Sequence, residues 1–179
     1  NEVKAMVEKT IERFGTIDIL VNNVGGSQGT PRFTEEISVD VWRRVIDFCI
    51  TSQFLCCQAV VPIMQAKKYG RIVNVSSVAG PFGEPLIWSP SYSAAKSGVC
   101  AMVRQLALEL GHDGITVNSI AQGDVMTERT QEIWESGLWP ETREELDERY
   151  QRYPIKRVAT AEEIANVVLF LVSDDAGYI

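Results

Sequence analysis

Residues 70–96 read GRIVNVSSVAGPFGEPLIWSPSYSAAK and hold a strand, a loop and the opening of a helix, in that order. Arg71 to Val75 is a short apolar run rich in β-branched residues, the pattern of a buried strand. It ends on Ser76 and Ser77. Pro81 to Pro90 is a loop carrying Phe82, Leu86, Ile87 and Trp88; it forms either one wall of a substrate pocket or a well-packed connection. Ser91 to Leu110 then places Val99, Met102, Val103, Leu106 and Leu110 at helical spacing. Tyr92 and Lys96 are four apart and share one face of that helix. A lysine ammonium held near a phenol favours the phenolate, which predicts a Tyr92 pKa below the reference of about 10. A strand-end serine facing the pair can hold a carbonyl or alcohol oxygen while the tyrosine gives or takes the proton. Alone, a Y-x-x-x-K spacing is also a plain helix, and two serines after a strand are also a turn. The order of the parts carries the reading towards alcohol–ketone chemistry.

Working outward, Val3, Met6, Val7, Thr10, Ile11 and Phe14 form one stripe, so residues 1–14 are an amphipathic helix stopped by Gly15. Ile17 to Asn22 reads as a buried strand. Asn22-Asn23-Val24-Gly25 lies at its carboxyl end, where ligands of open α/β sheets gather and a glycine lets the backbone approach them. Ser38 is placed to cap a long helix from about Val39 to Gln65, bent or interrupted near Pro62. After the Tyr-Lys helix, Gly111-His-Asp-Gly114 breaks the chain and Ile115 to Ile120 is another buried strand. Gly123 to Thr127 follows as a loop on the same rim as Asn23 and Ser77. Residues 128–153 are charged, with Trp134, Leu138, Trp139 and Tyr150, as in a mobile substrate lid. The last helix is Ala161 to Val172, with Thr160 as its N-cap.

At 179 residues the chain is about one domain. A net charge of −7 without a basic cluster argues against a nucleic-acid partner. No apolar run is read as approaching the roughly 20 residues of a membrane span, and residues 1–14 are neither a signal nor a transit peptide. Cys49, Cys56, Cys57 and Cys100 lack metal or C-x-x-C spacing and read as buried free thiols, which implies a cytoplasmic setting. His112 is the only histidine and reads as a surface cap residue, so neither a His-based triad nor a metal site is expected.

Several stretches together resemble the short-chain dehydrogenase/reductase family nearly end to end. Val21-Asn22-Asn23-Val24-Gly25 is similar to its N-N-A-G element, with Val24 in the alanine place. Asn74-Val-Ser-Ser77 is similar to its serine strand, and Tyr92 with Lys96 matches Y-x-x-x-K. Val117-Asn118 through Thr127 resembles V-N-x-I-x-P-G-x-x-x-T, with Gln122 in the proline place. Arg157, Glu162 to Ala165 and Phe170 to Asp175 resemble the C-terminal helix.

The resemblance implies a partial doubly wound parallel sheet, Rossmann-like α/β, over residues 1–179, with the lid at 128–153 inside it. It implies hydride transfer between NAD or NADP and a small alcohol or ketone; Trp134 and Trp139 point either to an apolar substrate or to packing against the body. Ser77, Tyr92 and Lys96 are the implied catalytic residues: Ser77 holds the substrate oxygen, Tyr92 is the general acid or base, and Lys96 tunes it and bonds the nicotinamide ribose. Asn23, Val24, Gly25, Gly123, Val125 and Thr127 are the implied cofactor contacts beside Tyr92 and Lys96, with a homodimer or homotetramer as the assembly. Cys49 stands where the family has an asparagine that helps hold a relay water.

No G-x-x-x-G-x-G or G-x-G-x-x-G turn occurs to cradle a pyrophosphate. The chain opens in the helix before the family's fourth strand and stops at Gly177-Tyr-Ile179. It therefore reads as the catalytic core of a longer reductase, lacking the first β-α-β units and the last strand. A non-catalytic scaffold or regulatory relative is the alternative from another class, and a dehydratase or epimerase on the same fold is a third.

Overall fold

The structure, a computed structural model, describes residues 2–82, 89–137 and 141–179. It comprises two compact units: residues 1–121 with 168–179, and residues 122–167.

In the first unit, β1 (Ile19–Asn22), β2 (Gly70–Val75) and β3 (Ile115–Ile120) form a parallel sheet in the order β1-β2-β3. Asn22 lies opposite Asn74, and Val75 opposite Ile120, so the three carboxyl ends are level. This is the partial doubly wound α/β fold that the strand–helix alternation predicts. β2 is central and every residue in it is buried, as a parallel strand between two neighbours requires. β1 departs from expectation. It starts at Ile19 rather than Ile17, only Asn22 is buried, and Ile19 and Val21 are exposed. Among the described residues it pairs on one side only.

Four helices flank this sheet: α1 (Glu2–Phe14), α2 (Val39–Ile46), α3 (Ser52–Lys67) and α4 (Pro90–Leu110). α3 packs on β1 and β2, α4 on β2 and β3, and α1 on α3. Val7, Cys57, Val60, Met64, Ile72, Val99, Val103, Leu110, Ile115 and Val117 make one buried cluster between them. Gly70 is required at the strand start, because a Cβ there would lie 2.5 Å from Met64 Sδ.

Ser38 caps α2, accepting from the Val41 amide as its position predicts. The interruption expected near Pro62 lies elsewhere. α3 runs through Pro62 to Lys67, and the break is a π turn over Asp47–Thr51 joining α2 to α3. Val39–Lys67 is thus one 29-residue helix, long and apolar enough by length and composition to cross a bilayer. That corrects the reading that no run approaches such a length. Interspersed glutamines hid it from a count of consecutive apolar residues. One stripe of it enters the core, with Val45, Cys49, Gln53, Cys57, Val60 and Met64 all buried, while Trp42, Phe54 and Leu55 are exposed.

The second unit carries a two-stranded parallel pair, β4 (Val125–Met126) and β5 (Ala159–Thr160), with Val125 opposite Ala159. The charged segment folds as α5 (Glu128–Glu135) and α6 (Arg143–Gln151). Thr127 caps α5, and α6 starts on a reciprocal capping box between Thr142 and Glu145. α7 (Ala161–Val172) opens with the Glu163 amide on Thr160 Oγ1, the cap read from the sequence. Leu86, Ile87 and Trp88 of the presumed pocket wall, and Leu138 and Trp139 of the lid, lie outside the described residues.

Candidate active site

The carboxyl rim of the sheet is where the chain concentrates buried polar groups. β2 delivers Ser76 and Ser77, and their roles divide. Ser76 is structural: its amide donates to Ile120 O at 2.8 Å and its hydroxyl to Lys96 O at 2.8 Å, fastening β2 to β3 and α4. Ser77 faces the other way. Its Oγ accepts from the Ala79 amide at 3.2 Å and hydrogen-bonds Tyr92. Tyr92 stands in the first turn of α4, where Ser89 Oγ accepts its amide at 3.3 Å. Its ring packs with Val45, Cys49, Ala79 and Ala95. Lys96 follows one turn later, 3% exposed. Sequence reasoning therefore brought together three residues that the fold also brings together.

One expectation fails. Lys96 Nζ donates to Val75 O at 2.8 Å and stands 5.7 Å from the centre of the Tyr92 ring. Burial pushes the Tyr92 phenol up to about 12, with the Ser77 hydrogen bond opposing and the neighbouring Cys49 adding to the rise. Burial likewise lowers the Lys96 pKa. Both groups move towards their neutral forms, as desolvation demands. A phenol with a raised pKa stays protonated through neutral pH and titrates only as the pH climbs towards the raised value. Ultraviolet titration of the free protein, subtracting a Tyr92→Phe variant, should therefore show no Tyr92 phenolate below about pH 10, the ordinary value. Onset near neutrality would mean that the ammonium reaches the phenolate in solution.

Asn23, Val24 and Gly25 form an exposed edge beyond β1. A Cβ on Gly25 would sit 3.0 Å from Lys96 Nζ and 3.7 Å from Cys49 Sγ, so a side chain there would crowd the ammonium. Cys49, in the π turn, is fully buried. Its sulfur accepts from the Gly26 amide at 3.4 Å and donates to Gly26 O at 3.3 Å. The thiol thus ties the Gly25–Gly26 backbone to the central helix. Cys49→Ala loses both bonds and leaves a small void, so it should lower stability by about 1–2 kcal/mol. Thermal unfolding should register this as a fall of about 2–8 °C, and Cys49→Asn, with donor and acceptor restored, a smaller one.

Sequence reasoning missed a buried polar group behind this rim. Asn22 Nδ2 donates to Asn74 Oδ1 at 2.9 Å and reaches Gln53 O and Cys57 Sγ at 3.4 Å each. Asn22 is therefore the structural asparagine of the pair, and Asn23 the exposed one. The signal was present in Asn74, a polar residue inside an apolar strand. The four cysteines are free thiols; Cys49 and Cys57 are buried, whereas Cys56 and Cys100 are half-buried. His112 is exposed, beside Asp113. Among the described residues no cluster of His, Cys, Asp and Glu is arranged to hold a metal ion.

In the second unit, Gly123 and Thr127 are exposed and Val125 is half-buried. The Thr127 hydroxyl serves the α5 cap, with the Thr130 amide at 3.1 Å and the Thr130 hydroxyl at 2.8 Å. Thr130 thus supplies the hydroxyl partner that Glu128, the next residue, lacks.

A parallel sheet with serine, tyrosine and lysine gathered at its carboxyl rim is a Rossmann-like α/β architecture. The sequence profile of the family described as enoyl-(acyl carrier protein) reductase matches residues 1–179. The chain is 36% identical to the 3-oxoacyl-[acyl-carrier-protein] reductase FabG of Thermotoga maritima, covering 100% of this chain and 68% of that protein. It superposes on levodione reductase with a TM-score of 0.89 at 38% identity, covering 99% of this chain and 67% of that one. ElxO, solved with NADP bound, gives 0.88 at 29% identity, covering 99% and 68%. The chain belongs to this family, within the short-chain dehydrogenases/reductases. It spans about two thirds of the length of the curated relatives it matches, from 65% to 68%.

Proposed function

We propose that the chain carries the proton-transfer half of an NAD(P)-dependent oxidoreductase that interconverts an alcohol and a ketone. The observation that carries this reading is the Ser77–Tyr92 hydrogen bond on the rim, with Lys96 one turn further along the same helix. Ser77 Oγ and Tyr92 Oη bind one carbonyl oxygen between them. In reduction the Tyr92 proton passes to that oxygen as the carbonyl carbon becomes tetrahedral; in oxidation Tyr92 takes the proton back. The phenol held protonated by burial suits the reducing direction. When bound, the nicotinamide supplies or accepts the hydride.

The residues present fit the nicotinamide–ribose end of such a cofactor. Lys96 Nζ is fixed by Val75 O, leaving its other protons for a ribose hydroxyl beside the bare Gly25 backbone. Asn23 and Val24 line that edge, and the match of Gly123, Val125 and Thr127 to the family's loop assigns them to the carboxamide. The ElxO complex with NADP supports this cofactor class. Residues 128–153 act as the substrate lid in this reading, and the setting is cytoplasmic. Exposed Trp42, Phe54, Leu55 and Leu108 support assembly as a homodimer or homotetramer.

The test is ketone-dependent oxidation of NADH and NADPH across a panel that includes levodione and a 3-oxoacyl compound. Turnover with at least one ketone is expected. Cofactor binding without turnover on any member would overturn the enzymatic reading in favour of a scaffold.

A further inference from the structure

Of the residues of α6, only Leu146 and Arg149 are buried. One buried leucine does not offset the entropy of ordering a nine-residue polar helix. Beside the capping box and Arg143, which lies 4.7 Å over the Trp134 ring, the buried hold is Arg149. Its Nε and Nη2 donate to the two carboxylate oxygens of Glu141 at 3.0 Å each, a planar fork matched to the carboxylate. Its Nη1 donates to Asp124 and, at 2.8 Å, to the Tyr153 hydroxyl, which in turn donates to Asp124 at 3.2 Å. One guanidinium thus joins the entry to α6, its exit and the segment before β4. Burial by itself would lower the Arg149 pKa, but the hydrogen bond and charge of Asp124, then Glu141, more than reverse this.

Asp124 is the residue between Gly123 and Val125, and its carbonyl accepts from the Ala159 amide at 3.1 Å. It is held at both ends, by backbone to the start of β5 and by side chain to α6. Resting on the reading of residues 123–127 as the cofactor's carboxamide loop, we propose that Arg149 is a positioning residue. Through Asp124 it fixes the backbone of that loop, so that order in α6 and grip on the nicotinamide end are coupled. Coupling of this kind is reciprocal: a cofactor that fixes the loop also orders α6.

The experiment compares Arg149→Met, Arg149→Lys and Asp124→Asn with wild type in the full natural chain. Steady-state kinetics with NADH and NADPH are read beside tryptic cleavage at Arg143 and Arg152, with and without cofactor. Arg149→Met should raise the cofactor KM about tenfold while kcat stays within about threefold, a coupling in the usual allosteric range. Cofactor should slow cleavage in wild type but not in Arg149→Met, and Arg149→Lys should recover part of both effects. If Arg149→Met folds poorly, Asp124→Asn is judged by the same readouts, since it keeps a hydrogen-bonding side chain and removes the charge. A cofactor KM within about twofold of wild type, with cofactor protection intact, would leave Arg149 a stabilising ion pair only and overturn the proposal. Tyr92→Phe in the same assay separates the two claims. If it turns over normally, the functional reading fails, while loss of cofactor protection in Arg149→Met still supports the link.

Discussion

Tyr92→Phe should abolish ketone reduction while leaving the fold and cofactor affinity in place. The ring keeps its packing against Val45, Cys49, Ala79 and Ala95, and Ser77 Oγ keeps its bond from the Ala79 amide. Only the hydroxyl is lost. Positioned general acids contribute about 10²–10⁴-fold, so kcat should fall by about that factor with the cofactor dissociation constant unchanged. Ser77→Ala removes a hydrogen-bond donor rather than the transferred proton, and should cost about 10²–10³-fold, as for one oxyanion donor. The discriminating measurement is single-turnover reduction at saturating cofactor. Retention of more than about a tenth of the wild-type rate by Tyr92→Phe would remove Tyr92 from the chemistry.

The second large effect is expected at a residue that touches no substrate. A Cβ on Gly80 would lie 2.8 Å from Ser97 N and 2.9 Å from Lys96 C, both backbone atoms of α4. Its amide donates to Ser77 O at 3.0 Å, and its carbonyl accepts from Ser97 Oγ at 2.8 Å. The serine turn and the lysine turn are therefore sewn together at one residue that has room for nothing larger than hydrogen. Overpacking of this kind costs about 1–3 kcal/mol, which for a chain of this size lowers Tm by about 2–12 °C. Because the obstacle is backbone, α4 must move, and Lys96 moves with it. We expect Gly80→Ala to lose kcat at temperatures where it remains folded. Gly111→Ala is the control: nothing lies within 4 Å of its Cβ position, so its Tm should stay within about 2 °C. Equal behaviour of the two variants would show that the serine turn is looser than its contacts imply.

The parts of this chain governed by local chemistry were legible before any coordinates. Strand β2, the Tyr-Lys helix and the caps at Ser38 and Thr160 follow from short patterns, and the serine–tyrosine–lysine grouping from the order in which those parts occur. Others depend on what lies across space. Asn22 and Asn23 are identical in type, and only the pairing of β1 with β2 makes the first structural and the second exposed. The direction of the Tyr92 shift is not legible in i, i+4 spacing, which sets a shared face but not the burial that raises the pKa. Val75 O, brought in by β2, takes the ammonium. The Arg149 cluster was invisible because Asp124, Glu141 and Arg149 look like ordinary surface charges when read in line. The break in the central helix was assigned to Pro62 by rule, whereas it falls at Asp47–Thr51.

That π turn has a geometric effect on the whole helix. Successive residues of an α-helix are rotated by about 100°, so a step of four residues overshoots a full turn by about 40°. Buried Val45, Cys49, Gln53 and Cys57 are spaced by four, and in an unbroken α-helix they would wind about 120° around its surface. The π turn inserts about one extra residue into the winding. It rotates everything after it back by about 100°, so that Gln53, Cys57, Val60 and Met64 return to the line begun by Val45. The wide turn acts as a phase corrector, letting one helix serve α4 along its first half and the sheet along its second without changing face. Deleting a single residue there would barely change the composition, yet turn the apolar stripe of α3 out of the core.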